Sequence, residues 1–156
     1  NSVMGSDIHV LWPESRATRD ILHEYFVPRR ELGRFIDGLR SRLKKHGANL
    51  LNVTVRDVRR DDLTVLRYAV SDRVALVLFF SQEPSVSAER KMEALTRELV
   101  DLAIGLGGSF YLPYRPHYTK EQFRAAYPGW EEFSRLRKRY DPERLIESGF
   151  LRHIGA

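Results

Sequence analysis

The sequence predicts an α+β fold, a ferredoxin-like sandwich in which two helices cover one face of a four-stranded antiparallel sheet. Four short stretches have strand-like patterns, and two longer stretches have helical periodicity. Their order, β-α-β-β-α-β, is the split βαβ arrangement. The chain has 156 residues, enough for one domain with a buried core, and a charged helical tail follows the last strand.

The first strand and the first helix are separated by Pro28. Strand 23–27 precedes this proline, and its alternation places His23 and Tyr25 on one face. Helix 30–46 carries apolar residues three and four positions apart and ends at Gly47, since glycine adopts the left-handed conformation of a helix end.

The two middle strands differ in pattern. Residues 51–56 alternate apolar and polar side chains, which is typical of a half-buried strand. Residues 74–80 are continuously apolar, which indicates a central strand buried on both faces. Residues 59–72 between them are polar and show no clear period.

The second helix and the fourth strand complete the predicted sandwich. Ser87 is a suitable N-cap for helix 88–105, whose apolar stripe runs from Met92 to Leu106. Strand 110–113 follows the double glycine at 107–108.

Three short helices are predicted in the tail. Thr119 and Gln122 form a capping box at the start of the first. Residues 131–140 are helical and strongly charged. Asp141 followed by proline predicts the N-terminus of the last helix.

Composition limits the possible functions. The chain has no cysteine, which excludes disulfides and thiolate chemistry and is consistent with a cytoplasmic location. The net charge of +5 is spread over the whole chain, and the histidines are too scattered to predict a metal site. The sequence contains no apolar run of about 18 residues, so no membrane span is predicted. Its first residues lack the basic and apolar regions of a secretory signal, so none is predicted.

Polar and ionisable residues are concentrated where the fourth strand ends. This corner contains two tyrosines, an arginine, a histidine and a lysine within ten residues: Tyr111, Tyr114, Arg115, His117 and Lys120. The predicted open face of the sheet adds His23, Tyr25, Asn52, Thr54 and Arg56. A slip of one residue would exchange the two faces of each strand. Hydroxyls and imidazoles donate and accept hydrogen bonds, so such a wall suits a sugar or polyol.

The same corner resembles a known family. Arg115 to Lys120 is similar to the Arg-Pro-His-Trp-Gly/Ala-Lys run of aldonolactone and alditol oxidases, which are FAD-linked oxidoreductases of the vanillyl-alcohol-oxidase type. The segment from Gly107 to Pro128 also resembles the decaprenylphosphoryl-ribose oxidases, where a lysine stands at the position of Tyr114. The resemblance extends over most of the chain from about Tyr25 onward.

The resemblance implies a domain division and a reaction. Residues 1–22 would be a linker from a missing upstream domain, 23–118 the substrate or cap domain, and 119–156 a C-terminal helical extension. The N-terminal domain of the same polypeptide would hold FAD, so the chain alone would be inactive. The reaction would be hydride transfer from an alcohol carbon, sugar- or polyol-like, to the flavin.

The resemblance and the residue chemistry together predict roles within the site. His117 is the expected base, because an imidazole titrates near neutral pH. The expected substrate-binding residues are His23, Tyr25, Asn52, Arg56, Tyr111, Tyr114, Arg115 and Lys120.

Two functions of other classes remain open at this point. A basic ferredoxin-like sheet with exposed aromatics can bind RNA, although no stretch matches the Lys/Arg-Gly-Phe/Tyr-Gly/Ala-Phe signature of such domains, and no nucleic-acid partner is expected. A small-molecule regulatory module of the same fold is the other alternative, and it would be expected to dimerise through the sheet.

Overall fold

Four strands form one antiparallel sheet in the computed structural model, which describes residues 18–155. The strands are β1 Arg19–Pro28, β2 Leu50–Val58, β3 Arg73–Gln82 and β4 Ser109–Phe110. Their order across the sheet is β2-β3-β1-β4, and β1 pairs with both β3 and β4. The predicted α+β, ferredoxin-like class is confirmed.

Two long helices cover one face of this sheet. The helices are α1 Leu32–His46, α2 Val86–Gly105, α3 Lys120–Ala126, α4 Trp130–Tyr140 and α5 Gly149–Ile154, with a 3₁₀ turn at Arg29–Glu31. Phe35 of α1 and Leu95 and Leu99 of α2 pack with Leu76 and Leu78 of β3 in the buried core. None of the described helices combines the length and apolar character needed to cross a bilayer.

The first strand begins earlier than predicted. Residues 19–22, assigned above to the linker, pair with residues 79–82 of β3 and belong to the sheet. Arg19 and Asp20 conceal the start of the strand in the sequence, although Ile21 is buried in the core. Residues 1–17 of the predicted linker lie outside the described residues.

The prediction that β2 is half-buried is wrong. Leu51, Val53 and Val55 are all exposed. Among the described strands, β2 lies at the edge and pairs with β3 alone. Alternation of apolar and polar residues shows that the two faces of a strand differ, but it does not show whether a helix covers either face. The central strand β3 agrees better with its prediction, since Val74, Ala75 and Leu76 are buried.

The start of α2 differs by two residues from its prediction. Ser85, not Ser87, is the N-cap, and its hydroxyl accepts a hydrogen bond from the amide of Ala88 at 3.1 Å. Both serines satisfy the residue preference of an N-cap, so the local sequence does not distinguish them.

The fourth strand is only two residues long, rather than the predicted 110–113. Gly107 has a positive φ of 72°. At Gly108 a Cβ would lie 2.3 Å from the carbonyl oxygen of Phe26. The double glycine therefore brings the chain close to β1. One further hydrogen bond follows, from the amide of Tyr111 to the carbonyl of Glu24. The chain then leaves the sheet before Pro113, which has no amide proton to donate.

The tail confirms the capping box and corrects the last helix. Thr119 and Gln122 make both reciprocal bonds of the box at the start of α3. Asp141 does not begin a helix; its carboxylate accepts hydrogen bonds from the amides of Leu145 and Ile146 in a turn. Arg144 has a positive φ of 55°, which is incompatible with a helix there. The last helix instead begins after Ser148.

Candidate functional site

Strand register determines which predicted residues share the open face. Asn52 and Arg56 pair with Phe79 and Ala75 of β3 and lie on the face that α1 and α2 leave uncovered. Thr54 lies between them on the same face. His23 and Tyr25 were expected on this face, but they do not lie there. They face the helices, and Glu24 takes the open-face position on β1. This is the one-residue exchange of faces that a period of two allows.

An ion pair between Glu24 and Arg56 lies on the open face. The carboxylate of Glu24 accepts a hydrogen bond from the guanidinium of Arg56. Glu24 is 3% exposed, whereas the Arg56 side chain is 53% exposed, so the pair is reached from one side only. The hydrogen bond to Glu24 raises the pKa of Arg56. Glu24 was missed by the sequence analysis; its position between His23 and Tyr25 in an alternating strand was the available signal.

Aromatic rings adjoin this ion pair. Phe26 stacks on Tyr68 with ring centroids 4.4 Å apart, and Tyr111 meets Tyr114 edge-on at 5.1 Å. Tyr68 belongs to the polar segment 59–72, and its carbonyl accepts a hydrogen bond from Ser109 at 2.5 Å. Burial and the negative charge of Glu24 raise the pKa of the Tyr114 hydroxyl. Two predicted site residues, Tyr111 and Tyr114, are therefore found in this aromatic group.

Arg115 and His117 form a second polar group, on the helix-covered side. Arg115 donates to one carboxylate oxygen of Glu89 at 2.5 Å, and Nε2 of His117 lies 2.9 Å from the other. Burial opposes ionisation of Glu89, but these two partners more than offset it and lower the pKa of the carboxyl. The imidazole of His117 is also within 3.4 Å of the Thr96 hydroxyl. His117 does not face the open side of the sheet, contrary to its predicted place in the pocket wall.

His23 and Tyr25 continue this second group into the core. The hydroxyl of Tyr25 lies 3.2 Å from Nδ1 of His23, and Nε2 of His23 lies 3.3 Å from the hydroxyl of Thr96. Burial, together with the nearby positive charges of His117 and Arg115, lowers the pKa of His23 to about 3. Burial also raises the pKa of Tyr25. Both side chains point toward the helices, so neither can meet a ligand on the open face of the sheet.

A small cavity separates the two polar groups. It measures about 20 Å³, which is room for roughly one water molecule. Glu24, Tyr111 and Tyr114 border it from the open face, and His23, Tyr25 and Thr96 border it from the helix-covered face. The cavity exists because β4 ends at Phe110, leaving the edge of β1 covered by a loop instead of a strand.

Lys120 lies apart from both groups. It is exposed in the first turn of α3, and its Nζ lies against Gly155 at the end of α5. Within residues 18–155, no group of three or more His, Asp or Glu side chains is arranged to hold a metal ion.

Comparison with known protein families identifies a family for this chain. The family model described as D-arabinono-1,4-lactone oxidase matches residues 3–154, nearly the whole chain. No curated protein matches the sequence.

Proposed function

Because the chain belongs to the D-arabinono-1,4-lactone oxidase family, a C-terminal domain of FAD-linked oxidases, we propose that its open sheet face is the substrate wall of such an oxidase. The substrate is a sugar- or polyol-like alcohol. The FAD is held mainly by an N-terminal domain of the same polypeptide, and residues 1–156 alone neither bind FAD tightly nor turn over substrate.

The observation that carries this proposal is the Glu24–Arg56 pair. A buried carboxylate and a half-exposed guanidinium stand side by side on a sheet face that the helices leave open. A carboxylate accepts hydrogen bonds and a guanidinium only donates them. Together they bind two neighbouring oxygens of a polyol, one hydroxyl that donates and one that accepts.

The same pair supports the proton transfer that alcohol oxidation needs. We propose that Glu24 accepts the proton of the reacting hydroxyl, in place of the predicted base His117. Arg56 stabilises the negative charge that develops on the substrate oxygen. Tyr114, beside Glu24 at the small cavity, and Asn52, on the outer strand, contribute further polar contacts.

The open face also fits contact with a flavin ring but not with its phosphates. When bound, the flavin accepts the hydride. Leu22, Phe79 and Tyr114 line a shallow groove on this face and offer apolar contact. Among the motifs of the sequence there is no glycine-rich loop of the type that cradles a pyrophosphate. The groups present therefore support a substrate-side role, and we propose that another domain binds the dinucleotide.

An absorption spectrum provides the first test. We expect a flavin band in protein produced from the complete reading frame and none in residues 1–156. Stoichiometric flavin in the 156-residue chain would contradict the proposed division of roles. A complete protein without flavin would contradict the proposed function itself.

Substitution tests the site. In the complete protein, Glu24→Gln and Arg56→Met should each lower kcat/KM for aldonolactones or alditols by about 100-fold, as for loss of a group that stabilises developing charge. The control is Asp57→Asn, because Asp57 follows Arg56 on β2 but points to the other face and pairs with Arg29. Equal activity of Glu24→Gln and Asp57→Asn would rule out the assigned site.

A further inference from the structure

Glu89 of α2 joins three elements around one carboxylate. One oxygen accepts hydrogen bonds from Arg115 at 2.5 Å and from Gln82 at 2.9 Å, and the other lies 2.9 Å from Nε2 of His117. Gln82 ends β3, while Arg115 and His117 belong to the irregular segment 111–118. Nothing in the proposed reaction uses this carboxylate directly, since it lies on the helix-covered side.

Hydrogen-bond counting assigns the ring protons of the first histidine in this network. The hydroxyl of Thr96 has a single proton, and the carbonyl of Met92, 2.7 Å away, can only accept it. Nε2 of His23, which lies 3.3 Å from the same oxygen, must then donate to it. Burial lowers the pKa of His23 to about 3 and keeps the ring neutral, so its single proton is on Nε2 and Nδ1 accepts from the hydroxyl of Tyr25.

Glu89 fixes one ring proton of His117. Its Nε2 faces the carboxylate of Glu89, which can only accept, so this nitrogen carries a proton and donates it. Its Nδ1 lies 3.4 Å from the hydroxyl of Thr96. Its charged neighbours are Glu89 from α2 and Arg115 from its own segment, with Arg97 donating to its carbonyl at 3.0 Å.

The segment anchored in this way carries the tyrosines of the open face. After β4 the segment 111–118 has no regular secondary structure. Tyr111 remains bonded to the carbonyl of Glu24 at 2.9 Å, and its ring meets that of Tyr114. The next two anchoring side chains are Arg115 and His117, and both bind Glu89.

We propose that Glu89 is a positioning residue: by holding Arg115 and His117, its carboxylate fixes Tyr111 and Tyr114 beside the Glu24–Arg56 pair and so determines how the substrate hydroxyls fit. This inference rests on the proposed function of the open face. It gives His117 a role in the site through Glu89 instead of as the base.

The test compares Glu89→Gln with Glu93→Gln in the complete flavin-loaded protein. Glu93 lies one turn further along α2 and pairs at 2.5 Å with the terminal nitrogen of Arg97, not with the Nε that donates to the His117 carbonyl. Its substitution removes a similar charge from the same helix and leaves that bond in place. Glutamine at 89 keeps the shape but weakens the charge-assisted bonds to Arg115 and His117. Hydrogen exchange, ¹⁵N spectra of the histidines and steady-state kinetics are then measured.

We expect Glu89→Gln to raise amide exchange in segment 111–118 by about tenfold, the effect of weakening one charge-assisted hydrogen bond. Exchange in α3 should not change. KM should rise about tenfold with a smaller change in kcat, as when binding of the ground and transition states weakens alike. The ¹⁵N shifts of His117 should show a proton on Nε2 in the wild type. Glu93→Gln should match the wild type throughout.

Each part of the reasoning has its own refutation. Wild-type protein without flavin would overturn the proposed function. Flavin-loaded protein in which Glu89→Gln matches Glu93→Gln would overturn only the role of Glu89. Faster exchange in segment 111–118 with unchanged KM would show that Glu89 maintains structure without positioning the substrate site, and would also overturn the inference.

Discussion

Arg56→Met leaves the Glu24 carboxylate buried without its cationic partner, and the sheet should lose stability at neutral pH. Removing one partner of a fully buried ion pair costs about 3–5 kcal/mol, because an unpaired charge remains in a medium of low polarity. Glu24 is 3% exposed, but the Arg56 side chain is 53% exposed, so water can approach the pair from one side. We therefore expect a smaller loss of about 2 kcal/mol in the free energy of unfolding.

The opposite substitution should cost less. Glu24→Gln buries no charge, and Arg56 can extend into water, so we expect a loss of about 1 kcal/mol, the contribution of one hydrogen bond. The double variant Glu24→Gln/Arg56→Met should resemble Glu24→Gln, because the unpaired carboxylate that destabilises Arg56→Met is absent. The losses of the two single variants should thus not add.

Native-state hydrogen exchange measures these differences within the sheet itself. The slowest amides of β1 and β3 report the free energy of opening this sheet even when another domain is present. Arg29→Met is the control, because the Arg29–Asp57 pair is exposed at both ends and should contribute at most about 0.5 kcal/mol. A loss in Glu24→Gln as large as that in Arg56→Met, or strict additivity in the double variant, would refute the reasoning.

Three further predictions concern the helix-covered side. The pKa of His23 falls from 6.5 to about 3 on folding, so its contribution to stability is complete above pH 6.5 and is lost as the pH falls toward 3. Between pH 7 and pH 5, urea unfolding should therefore show a loss of about 2 kcal/mol in the free energy of unfolding, and His23→Gln should lack this loss. Equal pH slopes for the wild type and the variant would contradict the prediction. Gly108→Ala places a Cβ 2.3 Å from the carbonyl oxygen of Phe26 and should lower the free energy of unfolding, measured by thermal unfolding, by about 2–3 kcal/mol. Gly33→Ala is its control: the position has open space around it, and the substitution should stabilise α1 by about 0.5–1 kcal/mol. Thr119→Ala removes the capping box of α3 and should cost about 1 kcal/mol in urea unfolding, with Thr119→Ser restoring most of it.

Features that depend on neighbours in the sequence were predicted well. Gly47 ends α1 in the left-handed conformation, and Thr119 begins α3 with a complete capping box. Where two local signals were equivalent, the prediction was wrong by a small shift, as at Ser85 and Ser87. Asp141 shows the same ambiguity, because its carboxylate caps a turn as readily as a helix.

The composition of the candidate site was predicted only in part. Tyr111 and Tyr114 follow β4 directly, so their place at its end could be inferred. Glu24 and Arg56 are 32 residues apart, and their pairing requires both strands to flank β3 in one register. Tyr68, from a segment with no clear period, reaches Phe26 only because Ser109 binds its carbonyl.

The sequence by itself determined the order of strands and helices, their approximate bounds and the α+β class, because periodicity, caps and turn residues act over a few positions. Only the tertiary structure decided which face of each strand is covered. A strand with a period of two offers two faces, and the choice between them depends on helices distant in sequence. That choice put His23 and Tyr25 on the helix-covered side and left Glu24 with Arg56 on the open face. His117 lies in the irregular segment after β4 and is on the helix-covered side through its contact with Glu89.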